Sequence, residues 1–383
     1  MVVLLIGTML NRRIGFLAKY TIPDPVTGGL LYAAIASIIV AATDFVLLID
    51  QTIKPTLLLM FFAGLGMCAD LRSLGKGGRA LVLFLIVLLP YIFVQNVVGV
   101  AVAKALDLHP IFGLVGGSIT LVGGHGTGAA YAERFAEVNN LQMVMELSMT
   151  VATIGLVLGG IIAAPVAQYL ISRNKLRSGV TSAEETATLE AAQPITTVGV
   201  IGSLAGIFAA VIAGQWLGQR FSGGAITLPS FLWCMMIGVL IRNLVPFARI
   251  RVDDRASDLI SGVCLSLFLV MTRLALNLIE VARSAGPFLV IIAAQIVATI
   301  FYTIWVCFRI MGRDYEAAVT SAAFIGFNIS STAAAMASMQ ALTAKYGPAP
   351  RSFLIVPLAG AFFVDIMNAF ILTLILALPF MGG

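Results

Sequence analysis

The chain has 383 residues, of which 60% are hydrophobic and only 11% charged, with a mean hydropathy of +1.03. A soluble domain keeps roughly a quarter of its residues charged, so a water-covered globule is excluded and an all-α membrane protein is expected. The net charge of +5 does not point to nucleic acid, because the basic residues are spread among short loops rather than gathered in one patch.

In chain order, apolar runs are expected to form spans at 1–10, 26–43, 55–69, 80–103, 143–171, 196–219, 227–245, 258–281, 287–308 and 352–379. A hydrocarbon core ~30 Å thick takes about 20 residues of helix, and a lone strand in lipid would leave its backbone unpaired. The first run is about half a span, which is expected to mean a trimmed N-terminus or a misassigned start. Cys68, Cys234, Cys264 and Cys307 all fall in these runs with no C-x-x-C spacing. They read as buried thiols rather than disulfides or metal ligands, and two histidines cannot build a zinc site alone.

Two apolar stretches, 110–131 and 315–339, are crowded with Gly, Ala, Ser and Thr and do not read as ordinary spans. If each dips into the membrane and returns, the residues 1–171 and 196–383 form two halves with five crossings apiece. An odd number inserts the second half upside down relative to the first, the inverted-repeat plan of many transporters. The hydrophilic segment 172–195 between them, with Arg173, Lys175, Arg177, Glu184, Glu185 and Glu190, reads as an exposed linker. With this topology 17 basic residues fall in loops on one side, among them Arg12, Arg72, Arg173, Arg249, Arg313 and Arg351. Five fall on the other: Lys54, Lys104, Arg134, Arg220 and Arg283. The positive-inside rule then makes the linker cytoplasmic and places both termini outside. A weak internal echo agrees, laying 123–130 over 328–335 with Thr127 on Thr332, and Gln95 on Gln295.

The string Ser118-Ile-Thr-Leu-Val-Gly-Gly-His-Gly-Thr-Gly-Ala-Ala130 is the most informative stretch. Its glycines weaken helix where an unsatisfied backbone costs several kcal/mol. Such a break persists at membrane depth only if buried in protein or lining a wet cavity. Two half-helices meeting at a glycine turn would aim first-turn N–H groups and a positive dipole end at a carboxylate. The candidate binding residues are therefore Gly123, Gly124, His125, Gly126, Thr127 and Gly128. A tight packing turn is the alternative, and the missing G-K-[ST] ending excludes a phosphate loop. His125 either contacts substrate or a coupled proton, or holds the loop by hydrogen bonding.

In the second stretch, Asn328, Ser330, Ser331 and Thr332 set four short polar side chains in an apolar context. They can ligate a hard cation, bond a substrate, or bond back onto their own helix. Intramembrane charges are costly and usually functional. Asp365 and, one turn along the same face, Asn368 suggest the beginnings of a sodium site, to which Thr120 is added. Arg273 is the one basic residue read well inside a span; it neutralises a substrate carboxylate, pairs with an acid such as Asp365, or snorkels. Glu146, Gln95 and Asn96 are weaker candidates, and Asp70 is assigned to a loop.

The pieces Lys19-Tyr-Thr-Ile-Pro-Asp-Pro25, Gly28-Gly-Leu30, 116–130, Thr153-Ile-Gly-Leu-Val-Leu-Gly-Gly160, Met339-Gln-Ala341, Tyr346-Gly-Pro348 and 356–368 together resemble the bacterial sodium/glutamate symporters. The likeness runs over nearly the whole chain. It implies a homodimer in the bacterial inner membrane among its lipids, with periplasmic termini, five spans and one re-entrant hairpin per half. It also implies an elevator-like movement and glutamate uptake driven by sodium, with no cofactor beyond that coupling ion. Its glycine-rich loop corresponds to 123–128 and its last-span acid to Asp365 with Asn368. The second hairpin departs from the family's Gly-His-Cys-Gly-Phe-Gly and Gly-Ala-Thr-Pro runs, reading Ala323-Phe-Ile-Gly-Phe-Asn328 and Ser330-Ser-Thr-Ala333. Arg273 also stands where an apolar residue is expected. Both departures suggest another amino acid or organic carboxylate, or altered ion coupling, as the alternative. A channel-like or sensory protein is a further reading. An intramembrane enzyme finds no support, since H-E-x-x-H, G-x-S-x-G and paired membrane aspartates are all missing.

Overall fold

The computed structural model describes residues 1–15, 24–43, 50, 52–138, 144–179, 195–221, 228–244, 253–274 and 278–378, and among these no strand occurs. Among the described residues five helices are long and apolar enough to cross a bilayer: Gly77–Ala105, Val144–Asn174, Thr197–Arg220, Asp254–Thr272 and Gly286–Ile310. Lys54–Met67, Ser230–Leu244 and Val364–Leu376 are shorter apolar helices. The all-α membrane class expected from composition is what the chain forms. Most of the linker, residues 180–194, lies outside the described residues; its first part is exposed, with Ser178 Oγ donating to Pro348 O at 2.7 Å.

The chain folds as two compact units, and neither follows one half of the sequence. The first comprises Met1–Asp70, Gly128–Thr153 and Ile195–Gly286; the second comprises Leu71–Thr127, Ile154–Pro194 and Pro287–Gly383.

In the first unit, α1 (Val2–Arg13) packs on α2 (Asp24–Thr43), and α3 (Lys54–Met67) packs on α8 (Thr197–Arg220), α9 (Ser230–Leu244) and α10 (Asp254–Leu274). The crossing of α3 and α9 is close enough that a Cβ on Gly66 would lie 2.1 Å from Met235 O, so only glycine fits there. Asp70 is in a loop, as expected, and pairs with Arg242, which also reaches Asp254 at 2.8 Å. Asp24 accepts hydrogen bonds from Thr8 and Asn11 at 2.7 and 2.6 Å.

The second unit is organised around α4 (Leu74–Ala105) and α11 (Leu278–Tyr302). From Pro287 onward α11 lies antiparallel to α4. Gln295 Nε2 donates to Gln95 O at 2.9 Å, Tyr91 Oη bonds Thr299 Oγ1 at 2.7 Å, and Tyr302 Oη donates to Val87 O at 3.0 Å. Tyr91, Tyr302 and Phe324 form an aromatic cluster with centroids 4.7 to 5.7 Å apart. The helix α11 begins at Leu278, earlier than the expected 287–308 run, and carries Pro287 inside it. Proline is tolerated in membrane helices because neighbours satisfy the freed carbonyl.

Helix α12 (Tyr315–Ile329) is buried at every residue except Glu316. Such burial on all faces requires the small, uncharged composition this stretch has. Helix α13 (Thr332–Tyr346) folds back on it, with Gly326 so close that a Cβ there would sit 2.5 Å from Ala335 Cα. Opposite, lipid-ready faces carry apolar side chains at helical spacing, such as Val297 (67% exposed) and Phe301 (62% exposed).

Candidate functional site

The first glycine-rich segment is broken twice. Helix α5 (Pro110–Leu114) is capped by His109, whose Nδ1 accepts from Ile111 N at 3.3 Å, and it widens into a π-turn over Val115–Ile119. Gly117 inside that turn has non-helical angles (φ −107, ψ −134). Widening frees a carbonyl, and Thr120 Oγ1 takes it up by donating to Val115 O at 2.6 Å. A second break falls at Val122 and Gly123, and α6 (Gly124–Val138) starts with Gly124 at φ +61.

The glycines were expected to form the turn itself. Most of them instead occupy the first turn of α6, whose N–H groups lack intrahelical acceptors in any case, so poor helix propensity costs little there. Gly124 and Gly126 carry no side chains to shield that helix end. Thr127 N bonds Gly123 O at 3.3 Å, and both Thr127 and His125 are buried. Gly128 opens the part of α6 that belongs to the first unit.

The second segment breaks at Ser330 and Ser331. Ser330 leaves helical geometry (φ −137, ψ −88), and the extended Ser331 caps α13 by accepting from Ala334 N at 3.2 Å. Ser330 Oγ donates to Leu156 O, 3.1 Å away on α7 (Val144–Asn174). That helix admits the break because Gly155 and Gly159 face it: added Cβ atoms would lie 2.5 Å from Ile329 O and 2.4 Å from Ser330 Cβ. Asn328 bonds back to Phe324 O at 2.7 Å, one of the three uses foreseen for this polar row. Thr332 stands half-buried at the start of α13.

A chain of amides joins these breaks to the neighbouring helices. Gln95 Nε2 donates to Asn328 O at 2.7 Å. Asn96 Nδ2 donates to Ser118 Oγ at 2.7 Å, and its Oδ1 accepts from Ser118 N at 3.3 Å. The chain continues through α14 (Pro350–Leu358) and a π-turn over Ala359–Phe363 into α15 (Val364–Leu376). From α15, Asn368 Nδ2 reaches Ser118 O at 3.0 Å. Asn368 is thus tied to the first segment two residues from Thr120.

Asp365, also on α15, is half-buried, and no hydrogen bond or ion pair to it occurs among the described residues. The Arg273 side chain lies outside the described residues. No group of three or more His, Cys, Asp or Glu side chains suited to a metal occurs among the described residues. An ion in this unit would therefore rest chiefly on neutral oxygens, the donors that discontinuous membrane helices offer to sodium.

A cavity of about 520 Å³ in the first unit, lined in part by Glu133, Arg134, Gln215 and Gln219, holds none of the predicted site residues. Sequence reasoning ranked Gln95 and Asn96 low and gave Gln295, Gly155 and Gly159 no role. The only signals available for them were the matched mid-span position of the two glutamines and the glycine spacing in the 153–160 string.

Comparison with known proteins agrees with this picture. A family model described as sodium/glutamate symporter matches residues 1–348. The sodium/glutamate symporter of Escherichia coli (strain K12) is 40% identical over 385 residues, covering 99% of this chain and 96% of that protein. That of Haemophilus influenzae (strain ATCC 51907 / DSM 11121 / KW20 / Rd) is 40% identical over 380 residues, covering 97% and 93%.

Proposed function

This chain belongs to the sodium/glutamate symporter family, and we propose that it carries glutamate into the cell, driven by sodium entering with it. It is a multi-pass membrane protein and a transporter rather than an enzyme. The observation that carries the reading is that both helix breaks, at 122–123 and 330–331, belong to one compact unit. Each break is followed by a helix start whose first-turn N–H groups have no carbonyl of their own helix to bond, the arrangement that attracts carboxylates, although Ser331 Oγ takes up the Ala334 N–H at the second.

Substrate is held by Gly123, Gly124, His125, Gly126, Thr127 and Gly128 at the first break and by Asn328, Ser330, Ser331 and Thr332 at the second. Arg273 is a counter-charge candidate to be tested on its own. Sodium is assigned to Asp365, Asn368 and Thr120. The halves 1–171 and 196–383 are inverted repeats with re-entrant hairpins at 110–131 and 315–339. Support comes from the antiparallel course of α4 and α11 at Gln95 and Gln295, residues in matching positions of the two halves. The unit carrying both breaks is the moving part of an elevator-like step in a homodimer. The protein lies in the bacterial inner membrane, embedded in lipid, with a cytoplasmic linker and periplasmic termini.

Uptake by proteoliposomes tests the reading. Radiolabelled glutamate should accumulate under an inward sodium gradient and be lost when an ionophore collapses it. Flux indifferent to the gradient would indicate a channel, and no transport of any amino acid or carboxylate would indicate a sensor. A second reading is favoured by the second break, where Asn328 and Ser330 stand at two of the family's glycine positions, Ser331 at its alanine and Ala333 at its proline. It is sodium-coupled carriage or exchange of another amino acid or organic carboxylate. Competition by aspartate, citrate and malate against glutamate separates the two.

A further inference from the structure

Among the described residues of the second unit, four side-chain amides are fully buried with an oxygen that has no partner: Gln95 Oε1, Gln295 Oε1, Asn328 Oδ1 and Asn368 Oδ1. Their orientation is fixed by chemistry. Every one of the four amide nitrogens donates to a main-chain carbonyl oxygen: Gln95 to Asn328 O, Gln295 to Gln95 O, Asn328 to Phe324 O and Asn368 to Ser118 O. A carbonyl only accepts, so rotating any amide would set oxygen against oxygen and lose the bond. The unpaired group is therefore the oxygen in all four cases.

A buried acceptor without a donor costs about 1–3 kcal/mol, and each of the four calls for an occupant to offset that cost. Three of them are consecutive links, Gln295 to Gln95 to Asn328, and the last stands one turn before the second break. An occupant that satisfies acceptors alone must be a cation or a donor. Uncharged amide oxygens in an acid-poor setting suit a monovalent hard cation better than a divalent one, which needs carboxylates to offset its charge.

We infer that Gln95, Gln295 and Asn328 supply side-chain oxygens to a sodium site set between α4, α11 and the end of α12, separate in its ligands from the Asp365 assignment. The inference rests on the sodium-coupled reading above; it adds Gln95 and Gln295, which that reading leaves out, and gives the Asn328 side-chain oxygen to the ion. The site also couples ion to substrate by its position. Gln95 holds the main-chain oxygen of Asn328, whose own side chain is a ligand, so sodium would order the chain that enters the second break.

Thermal unfolding of the purified protein in detergent, with sodium titrated against choline and no substrate present, tests it, because a ligand of the native state raises the midpoint as its concentration grows. Asn328→Leu should raise the half-effective sodium concentration by about tenfold or more, since it removes a ligand. Gln295→Glu should lower it by roughly threefold or more, since a carboxylate adds charge to the ligand set and the cation can then bridge it to Gln95 O, which loses its amide donor. A merely structural glutamine would not produce that improvement, and Gln295→Glu alone decides the matter if the leucine variant does not fold. The inference is overturned if the half-effective sodium of Gln295→Glu is unchanged or rises, or if folded Asn328→Leu matches the wild type. Wild-type liposomes distinguish the two levels. Sodium-driven glutamate uptake with sodium-indifferent variants removes the site and leaves symport standing. A sodium-dependent midpoint that moves with these residues, in a protein that takes up no glutamate, keeps the site and removes the substrate.

Discussion

Asn368, in the last helix, donates its side-chain N–H to the main-chain oxygen of Ser118, 3.0 Å away and 250 positions earlier in the chain. Ser118 lies in the π-turn of the first broken segment, and its carbonyl, which accepts from Val122 N and Gly123 N at 3.3 and 3.1 Å, takes a further bond from a residue far along the chain. The same Ser118 is gripped from the other side by Asn96. Asn368→Leu should therefore remove a buried tie between α15 and the first segment while leaving Ser118 O its two main-chain donors, costing about 0.5–1.5 kcal/mol, and reduce glutamate uptake by about tenfold or more as the first segment loosens. Thermal denaturation and initial uptake rates check it, and wild-type values in both would show that the bond positions nothing.

The glycines of α7 make a paired prediction. A side chain at Gly155 would drive a Cβ to within 2.5 Å of Ile329 O, whereas Gly160 has nothing within 4 Å of the same position. Gly155→Val is expected to displace the second break and abolish uptake, while Gly160→Ala leaves both stability and rate near wild type. Equal activity of the two variants would mean that the approach of α7 to Ile329 is of no consequence.

Gly126 tests the first break. Gly126→Val puts a branched side chain in the opening turn of α6, where the substrate carboxylate is proposed to approach main-chain N–H groups. Uptake should vanish while the protein still inserts and runs as a single species on size exclusion. Normal uptake would remove this helix end from the site.

Asp365 tests the assigned ion site. It is half-buried on α15, one turn before Asn368. Asp365→Asn keeps shape and deletes charge, so the sodium concentration giving half-maximal uptake should rise by about tenfold, with glutamate affinity at saturating sodium nearly unchanged. An unaltered sodium dependence would take Asp365 out of ion coupling.

Much of the fold was legible because membrane physics writes it in single residues. Too few charges excluded a soluble globule, and glycines at 123–128 announced an interruption, which the structure has at 122–123. The extents were less visible. The first segment continues to Val138 rather than 131, since the residues after Ala129 sustain helix once the glycines are passed. The second continues to Tyr346 rather than 339 and ends at Gly347, whose φ of +104 ends helices readily.

The amide chain was hardest to foresee. A glutamine within a span, such as Gln95, has the same sequence signature whether both ends of its amide are bonded or only one. Only packing reveals that the nitrogens of Gln95 and Gln295 are committed to carbonyls and their oxygens are not. Gly155 and Gly159 were hidden for a related reason, since a glycine pair on a membrane helix announces close approach without saying to what.

The interleaving of the two compact units bears on how the protein is made. Each draws its last large piece from beyond Ile195, so a ribosome that has delivered only the first half has completed neither core. Early helices must wait in the translocon's neighbourhood with their small-residue faces uncovered, and a chain terminated before Gly286 has no finished module to fall back on. Nonsense or frameshift alleles anywhere before Gly286 should thus behave alike, leaving fragments for membrane proteases to clear rather than a partly working remnant.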